Sequence, residues 1–502
     1  MTSSPSPQDP SLTAVRSVRL VIASVATLLL LAALDQTIVS TALPTIVSDL
    51  GGLEHLSWVV TAYILASTVA APLYGKLGDL YGRRIMVFVS VGLFLIGSLL
   101  CGVAGSMTFL IVSRAIQGLG GGGLFVLALS VVGDVLTAKE RGKIQGMFAA
   151  VFSISSMVGP LMGGYFVEQF SWHWIFLINV PLGILAVIGF AMSFPAHTKT
   201  TKHKIDWSGA AALSVTLASV TLMTALGGNT LPWDSLETYG LGALAVLALV
   251  VFILIERRAV EPILPLELFK LNVFTTTSML SFLTGAAMLG AVTYLPLYLQ
   301  VARGVSPTVS GLLLAPMTLG VVAATTVAGT YMRRTGRYRI LPIVGMTILT
   351  IGGALLSQIA VDTSTWGFSG MIVLFGFGMG LCFPVLTTAV QNAVPRAQLG
   401  TATSSGVMFR QIGGSLAVAM FGAMMTARLA NQAGGMNFSA EMGPQALAHL
   451  DPAIRAGIAD HIVNAIAPIY WVVAAFGVVG VIVALVLREI PLSGRMPAPQ
   501  AE

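Results

Sequence analysis

Long apolar runs separated by short polar segments follow one another along almost the whole chain. At about 1.5 Å of rise per residue, roughly 20 apolar residues in a helix cross a hydrocarbon core of about 30 Å. The pattern predicts an all-α integral membrane protein with 14 transmembrane helices. Their expected positions are 17–46, 56–75, 85–104, 107–133, 144–167, 174–194, 207–227, 238–256, 272–302, 308–331, 340–361, 367–393, 400–430 and 465–487.

A polar segment recurs after the second helix of each half of the chain. It reads GKLGDLYGRRI at residues 75–85 and GTYMRRTGRYR at residues 329–339, an offset of 254 residues. Such a repeat is typical of transporters built from two six-helix bundles. The predicted organisation is a disordered cytoplasmic tail (1–16), an N-terminal six-helix bundle (17–194), a linker with two extra transmembrane helices (195–271), a C-terminal six-helix bundle (272–487) and a cytoplasmic tail (488–502).

Composition and charge support a membrane location. Hydrophobic residues make up 56% of the chain and charged residues 9%, against about 25% charged in soluble domains. Most of the 26 Lys and Arg residues fall in connections on the side of the two termini, which predicts that both termini are cytoplasmic. This placement explains the net charge of +6 without nucleic-acid binding. Cys101 and Cys382 lie in apolar runs, so we expect no structural disulfide.

Two charged residues interrupt the apolar runs of the first half. Asp35 lies in the first predicted helix and Arg114 in the fourth, and counting along both helices places them at similar depth in the outer half of the membrane. A charge there costs about 2.5–3.5 kcal/mol on insertion scales, so we expect the two to pair directly or through water. Gln117 lies one turn beyond Arg114 on the same face. A purely structural ion pair is the alternative to a proton-coupling site.

Five segments together resemble the fourteen-helix drug:proton antiporter family of the major facilitator superfamily. They read LDQTIVSTALP, GKLGDLYGRR, RAIQGLGGG, GPLMGG and WHWIFLINVPLG, in the order and at the helices where the family has them. The resemblance covers essentially the whole chain and implies the major facilitator fold. It also implies a transporter in which Asp35 carries the proton and Arg114 modulates it. His173 departs from the family, which usually has arginine there.

The resemblance gives the segment at residues 75–84 a gating role. In the family this segment holds the two halves together on the cytoplasmic side, with its acid facing a helix of the other half, here the one that starts near Gly400. Arg83 and Arg84 are expected to pair with carboxylates such as Asp134. A basic anchor that follows the positive-inside rule is the alternative. The predicted gating residues of this segment and its partner are Gly75, Asp79, Gly82, Arg83, Arg84 and Asp134.

Glycine and proline recur in the middle of the fifth predicted helix. Pro160 is expected to bend that helix, while Gly159 and Gly163 are expected to allow close contact with the opposite half. In the family this motif marks exporters that work by antiport, although such kinks are also common in membrane helices. The candidates for the substrate cavity are aromatic, amide or basic, and packing is the alternative for each. They are Trp58, Tyr63, Gln117, Tyr294, Tyr298, Gln300 and Arg410.

These patterns predict a secondary active exporter that exchanges protons for amphipathic or cationic drugs by alternating access. The partners are then a small-molecule substrate, protons and the lipid bilayer, with a monomeric chain in the plasma (inner) membrane. An exporter of lipids or metabolites is the alternative with the same mechanism. A membrane enzyme is disfavoured because no metal cluster, phosphate-binding loop or nucleophile–base pattern is found, and a receptor because of the repeat. We expect no cofactor and no metal.

Overall fold

The computed structural model describes residues 10–51, 55–194, 205–228, 230–305, 307–432 and 452–492. Apart from one bridge between Gly227 and Leu231, these residues form helices and connecting turns. The helices are α1 (Pro10–Leu50), α2 (Leu56–Tyr81), α3 (Arg83–Cys101), α4 (Met107–Val135), α5 (Ala138–Gln169), α6 (Trp174–Leu177), α7 (Asn179–Ser193), α8 (Trp207–Leu226), α9 (Leu236–Glu256), α10 (Asn272–Leu297), α11 (Pro307–Thr335), α12 (Ile340–Leu356), α13 (Thr365–Ala393), α14 (Leu399–Gln432) and α15 (Pro452–Val486).

Several boundaries differ from the sequence prediction; α15, for example, begins at Pro452 rather than at residue 465. Helix α1 begins at Pro10, so the second part of the segment 1–16, expected to be disordered, is helical, while residues 1–9 lie outside the described part of the chain. The predicted helix 174–194 is divided into α6 and α7, which meet at Ile178. Apolar patterning predicts where a helix lies, but it carries little information about where a turn interrupts it.

Twelve helical segments of the described chain are long and apolar enough to cross a membrane. Helix α12, with 17 residues, is shorter, and α5 begins with a strongly polar turn. Polar side chains begin several of the helices. Ser106, Asp206 and Ser364 accept hydrogen bonds from the first-turn amides of α4, α8 and α13, which satisfies donors that have no partner within the helix.

The helices pack as two bundles with the same internal arrangement. In the first, α1 contacts α5 and α7, α2 contacts α4, and α3 contacts α4 and α7. In the second, α10 contacts α14 and α15, α11 contacts α13, and α12 contacts α13 and α15. Each of these contacts of the first bundle therefore has its counterpart in the second, as a duplicated transporter requires. Helices α8 and α9 pair with each other, and α8 lies against α2 and α14 at the seam.

Glycines in α4 allow this helix to pack closely against its neighbours. A Cβ atom at Gly118 or Gly122 would overlap the backbone of α2 at Tyr63 or Ser67, and one at Gly120 would overlap α3 at Phe94. Because these glycines lie on two sides of α4, the helix fits tightly between α2 and α3. This close fit brings the polar side chains of α4 against those of its neighbours.

The two bundles meet through glycines at one end. In α5, a Cβ atom at Gly142 would approach Met332 Cε of α11 to 2.7 Å and Gly329 Cα to 2.9 Å. Gly146, one turn further, also faces α11, so this contact is built on a G-x-x-x-G pattern. In α2, Gly75 lies directly against Ser404 of α14. Both contacts lie at the end where α2 stops and α14 begins.

The expected contact of the glycine motif in α5 with the opposite bundle is wrong for Gly159. A Cβ atom there would overlap Thr37 of α1, within the same bundle. Gly163 is buried, and the side chain of Pro160 lies outside the described set. The glycines of α5 that reach the other bundle, Gly142 and Gly146, precede the motif.

We expect Gly142→Leu to push α5 away from α11 and to lower the free energy of unfolding by about 1–3 kcal/mol, because overfilling a packed contact strains it. Thermal denaturation of the purified protein measures the change. The matched control is Gly164→Leu on the same helix, because a Cβ atom at Gly164 has no neighbour within 4 Å. Equal denaturation midpoints for the two variants would show that the α5–α11 contact adds nothing to stability.

Candidate functional site

Asp35 of α1 lies at the centre of a buried polar network and is 0% exposed. Its Oδ2 atom accepts a hydrogen bond from Arg114 Nη1 of α4 at 2.7 Å. Its Oδ1 atom accepts from Gln117 Nε2 of α4 at 2.7 Å and from Asn179 Nδ2 of α7 at 3.0 Å. The carboxylate thus ties together three helices of the N-terminal bundle, and the ion pair anticipated from sequence is a direct contact.

Four groups besides Asp35 contact the side chain of Arg114. Its Nε atom donates to the Val59 carbonyl of α2 at 3.2 Å, and its Nη1 atom also donates to Gln117 Oε1 at 2.6 Å. The guanidinium carbon lies 4.3 Å from the ring centre of Tyr63 and 5.6 Å from that of Phe176. Aromatic faces attract a cation, so these rings stabilise the arginine in a site where its hydration is lost.

Sequence reasoning missed two members of this network. Ser98 of α3 accepts hydrogen bonds from Gln117 Nε2 at 2.7 Å and from Asn179 Nδ2 at 3.2 Å. Asn179 of α7, which is not among the residues predicted for the site, donates to Asp35. An amide inside an apolar helix is a usable signal, because it needs a partner in the membrane. A serine gives a weaker signal, since its hydroxyl can bond its own helix.

Several predicted cavity residues lie elsewhere. Gln117 is 0% and Tyr63 1% exposed, and both belong to the network around Asp35. Tyr294 donates its hydroxyl to the Val418 carbonyl at 3.2 Å, and Tyr298 donates to the Ala360 carbonyl at 2.8 Å. These two tyrosines belong to the core of the C-terminal bundle, so their assignment to a cavity is wrong for this conformation.

The remaining cavity candidates are less buried. Trp58 near the start of α2 and Gln300 in the π-helical turn after α10 are half-buried. Arg410 of α14 contacts Phe125 of the N-terminal bundle and lines a small cavity within the C-terminal bundle.

The latch segment, residues 75–84, joins the two bundles through Asp79. The Asp79 carboxylate accepts hydrogen bonds from the amides of Gly400 at 2.9 Å and Thr401 at 2.7 Å, and from the Thr401 hydroxyl at 2.9 Å. It therefore caps the N-terminus of α14, where free amides and the helix dipole favour an anion. Arg83 forms an ion pair with the same carboxylate.

Arg83 also pairs with Asp134 at the end of α4, with Nε 3.0 Å from Oδ2. The side chain of Asp79 is 2% and that of Asp134 28% exposed. Arg83 therefore pairs with one buried carboxylate and with one that is partly exposed to solvent. Gly82 has φ of 89° between α2 and α3, a conformation that favours glycine. The expected carboxylate partner of Arg84 is wrong, because Arg84 donates instead to carbonyls at the end of α7.

The linker helices also reach the latch segment. Lys76 Nζ lies 3.0 Å from Glu261 Oε2, in the segment that follows α9. The two native cysteines are free and buried. No group of three or more His, Cys, Asp or Glu residues in the described ranges is arranged to hold a metal ion. The functional groups found in the described site are charged groups, amides and hydroxyls.

Comparison with known proteins shows similarity to transporters over most of the chain. The Major Facilitator Superfamily profile matches residues 25–418. The chain is 36% identical over 509 residues to the multidrug transporter protein MdtP of Bacillus subtilis, covering 94% of this chain and 93% of that protein. It is also 36% identical over 443 residues to multidrug resistance protein 3 of the same species, covering 87% and 86%.

Solved structures share the fold at low identity. The proton:xylose symporter XylE matches with a TM-score of 0.64 and 15% identity, over 95% of this chain and 97% of that chain. The human organic anion transporter MFSD10 matches with a TM-score of 0.62 and 15% identity, over 95% and 100%. The duplicated bundles, the profile match and the full-length relatives agree, and the chain belongs to the major facilitator superfamily.

Proposed function

We propose that this protein is a secondary active exporter that exchanges protons for amphipathic or cationic drugs by alternating access. The observation that carries the proposal is the placement of Asp35. It is a carboxylate in the apolar interior of the N-terminal bundle, fully buried and held by one cation and two amides. A relative named as a multidrug transporter supports the substrate class, and a relative named as an efflux pump supports the direction.

Proton binding at Asp35 would change the packing of its bundle. A proton removes the charge that Arg114 pairs with and adds an O–H donor to one carboxyl oxygen, which keeps only part of its acceptor capacity. The hydrogen bonds that the carboxyl group accepts are then weakened, and the new O–H group needs an acceptor of its own. Because the donors come from α4 and α7, while Val59 of α2 holds the same arginine, protonation favours a different arrangement of these helices.

A physical connection runs from this network to the other bundle. Two residues after Asp35, the Thr37 hydroxyl lies 3.0 Å from the Ser155 carbonyl of α5. Helix α5 packs in turn against α11 through Gly142 and Gly146. A shift of α1 caused by protonation would therefore displace the helix that seals the two bundles at one end.

The latch segment supports alternating access. Asp79 of the N-terminal bundle caps α14 of the C-terminal bundle, and Gln391 Nε2 of α13 donates to the Leu129 carbonyl of α4 at 3.1 Å. Under the proposed orientation these contacts close the cytoplasmic side. Opening toward the cytoplasm requires that they break, and each bond of a carboxylate to a helix terminus adds to that barrier.

The proposal extends to topology. We propose that α5 and α12 also cross the membrane, which with the 12 candidate spans gives fourteen transmembrane helices, α6 and α7 belonging to one of them. Both termini then lie in the cytoplasm, as basic residues such as Arg333 and Arg334 at the end of α11 favour. The chain acts as a monomer in the plasma membrane.

We expect Asp35→Asn to abolish drug-driven proton movement in vesicles that contain the purified protein. The amide keeps the shape of the carboxylate but cannot carry a proton. A pH-sensitive dye inside the vesicles records the change when ethidium, a lipophilic cation, is added. Asp49→Asn is the control, because Asp49 is an acid of the same helix whose described contact is with the Trp172 indole, 2.8 Å away.

The double variant Asp35→Asn/Arg114→Gln separates coupling from structure. Loss of one partner of a buried ion pair costs about 3–5 kcal/mol, whereas replacement of both is far milder. We therefore expect the double variant to regain stability and to remain uncoupled. Proton-coupled efflux by this variant would show that the ion pair is only structural.

We expect Asp79→Asn to weaken the contact between the latch segment and α14 by about 1–2 kcal/mol, the usual cost of a lost cap. The ratio of molecules with this contact open to those with it closed then rises roughly five- to thirtyfold. A cysteine at Thr403, which is 3% exposed at this contact, should then react faster with a thiol reagent. Asp134→Asn is the matched control, because it removes an acid from Arg83 without uncapping α14. Equal reaction rates in the two variants would reduce the latch segment to a membrane anchor.

Topology is tested by single cysteines in a background without Cys101 and Cys382. A cysteine at the exposed Arg333 position should react only from the cytoplasmic side, and one at Trp366, which is 89% exposed, only from outside. Impermeant thiol reagents applied to intact cells and to inverted vesicles make the comparison. Labelling of position 333 in intact cells would contradict the orientation.

A further inference from the structure

Arg410 is a cation at the seam of the bundles without a carboxylate partner. None of the ion pairs in the described part of the chain includes it. Its guanidinium carbon lies 5.5 Å from the ring centre of Phe125 in the N-terminal bundle and 5.5 Å from that of Phe383 in the C-terminal bundle. A charge in the membrane interior normally has a partner or marks a substrate pathway.

The neighbouring amides do not satisfy this arginine. Gln391 donates to the Leu129 carbonyl and to Thr403, and Asn392 donates to the Ile490 carbonyl. No described residue accepts a hydrogen bond from Arg410, which leaves its N–H groups free. Two aromatic faces offset part of the lost hydration, but they accept no conventional hydrogen bond.

The free side of Arg410 opens into a cavity between α10, α13 and α14. The cavity volume is about 20 Å³ in this conformation, enough for one water-sized group, so a larger anionic group can enter only when the surrounding helices move apart. Hydroxyl groups line it, and four of them, those of Thr277, Thr284, Thr387 and Thr403, donate to carbonyls of their own helices. These threonines add no hydrogen-bond donor to the cavity.

Two serines of α10 differ from these threonines. The Ser278 hydroxyl is buried without any hydrogen-bond partner, and no described residue bonds the Ser281 hydroxyl. Three residues apart, the two serines lie on one face of α10, and both line the cavity with Arg410. The cavity therefore holds the unused N–H groups of a guanidinium and two unused hydroxyls, a set of donors that fits an anion.

We propose that Arg410, Ser278 and Ser281 bind the anionic head group of an amphipathic organic acid, and that such acids are a substrate class of this protein. The inference rests on the proposed export function and adds an anionic class to its substrates. Asp35 cannot serve as a counter-ion for a cationic drug in this conformation, because its carboxylate is fully buried and bonded to three donors. The charged residue that lines the cavity is Arg410, which is positive.

The test compares pyrenebutyrate with its uncharged methyl ester, which has the same ring system. Equilibrium binding to the purified, detergent-solubilised protein gives two affinities, and we expect the acid to bind about tenfold or more tightly, the usual gain from hydrogen bonds to a charged group. Arg410→Gln should bring the ratio of affinities close to one and leave ester binding unchanged. Equal affinities in the wild type, or an unchanged ratio in Arg410→Gln, would overturn the proposal.

The matched control is Arg428→Gln, an exposed arginine of the same helix, which should keep the wild-type ratio. Where Arg410→Gln does not fold, the double variant Ser278→Ala/Ser281→Ala takes its place, and the ratio should fall at least about threefold, since two donors to the anion are lost. An unchanged ratio in that variant contradicts the proposal. A further titration replaces gluconate in the buffer by chloride at about 0.15 M. If chloride brings the ratio of the two affinities close to one, the site binds an inorganic anion instead of the organic head group.

Binding and transport measurements on the same proteins distinguish failure of this inference from failure of the exporter proposal. Asp35→Asn should keep the preference for the acid, because Asp35 lies outside the cavity. A wild-type protein that prefers the acid but shows no proton-coupled transport would refute the exporter and retain the anion site. Proton-coupled transport without any preference for the acid would refute the anion site alone.

Discussion

The contact between Asp35 and Arg114 is the interaction on which the N-terminal bundle depends. Neither charge is stable alone in an apolar interior, so the helices that carry them must keep the two within hydrogen-bond distance. Gln117, Asn179 and Ser98 satisfy the remaining donors and acceptors. The glycines of α4 make this possible, because they allow α2 and α3 to approach closely enough for one network to span the bundle.

A network held this tightly changes as a unit. Removing or adding one proton at Asp35 alters the number of donors the carboxylate can accept, and the cost falls on contacts between helices rather than on one side chain. Helix α5 lies next to this network and also seals the bundles against each other. The seam itself carries Asp79 at the N-terminus of α14 and Arg410 beside a cavity, which are charges of opposite sign with different partners.

Much of this arrangement could be predicted from the sequence. Apolar runs give most of the helices, the repeat gives two bundles, and two isolated charges of opposite sign at similar depth give the Asp35–Arg114 contact. Tyr294 and Tyr298 could not be placed, because a tyrosine on a membrane helix packs in a core or lines a cavity with the same local pattern. The helix that Gly159 contacts could not be predicted either, since a glycine indicates close approach but does not identify the neighbour.

The claim that Asp35 couples proton and substrate is tested most directly by counting protons released when substrate binds. Calorimetric titration of the purified protein, in two buffers of different protonation enthalpy, measures that number for the compound exported most strongly in a drug panel. Across a pH series, we predict proton release by the wild type that Asp35→Asn lacks, with binding still measurable. Equal proton release by both proteins would contradict the account.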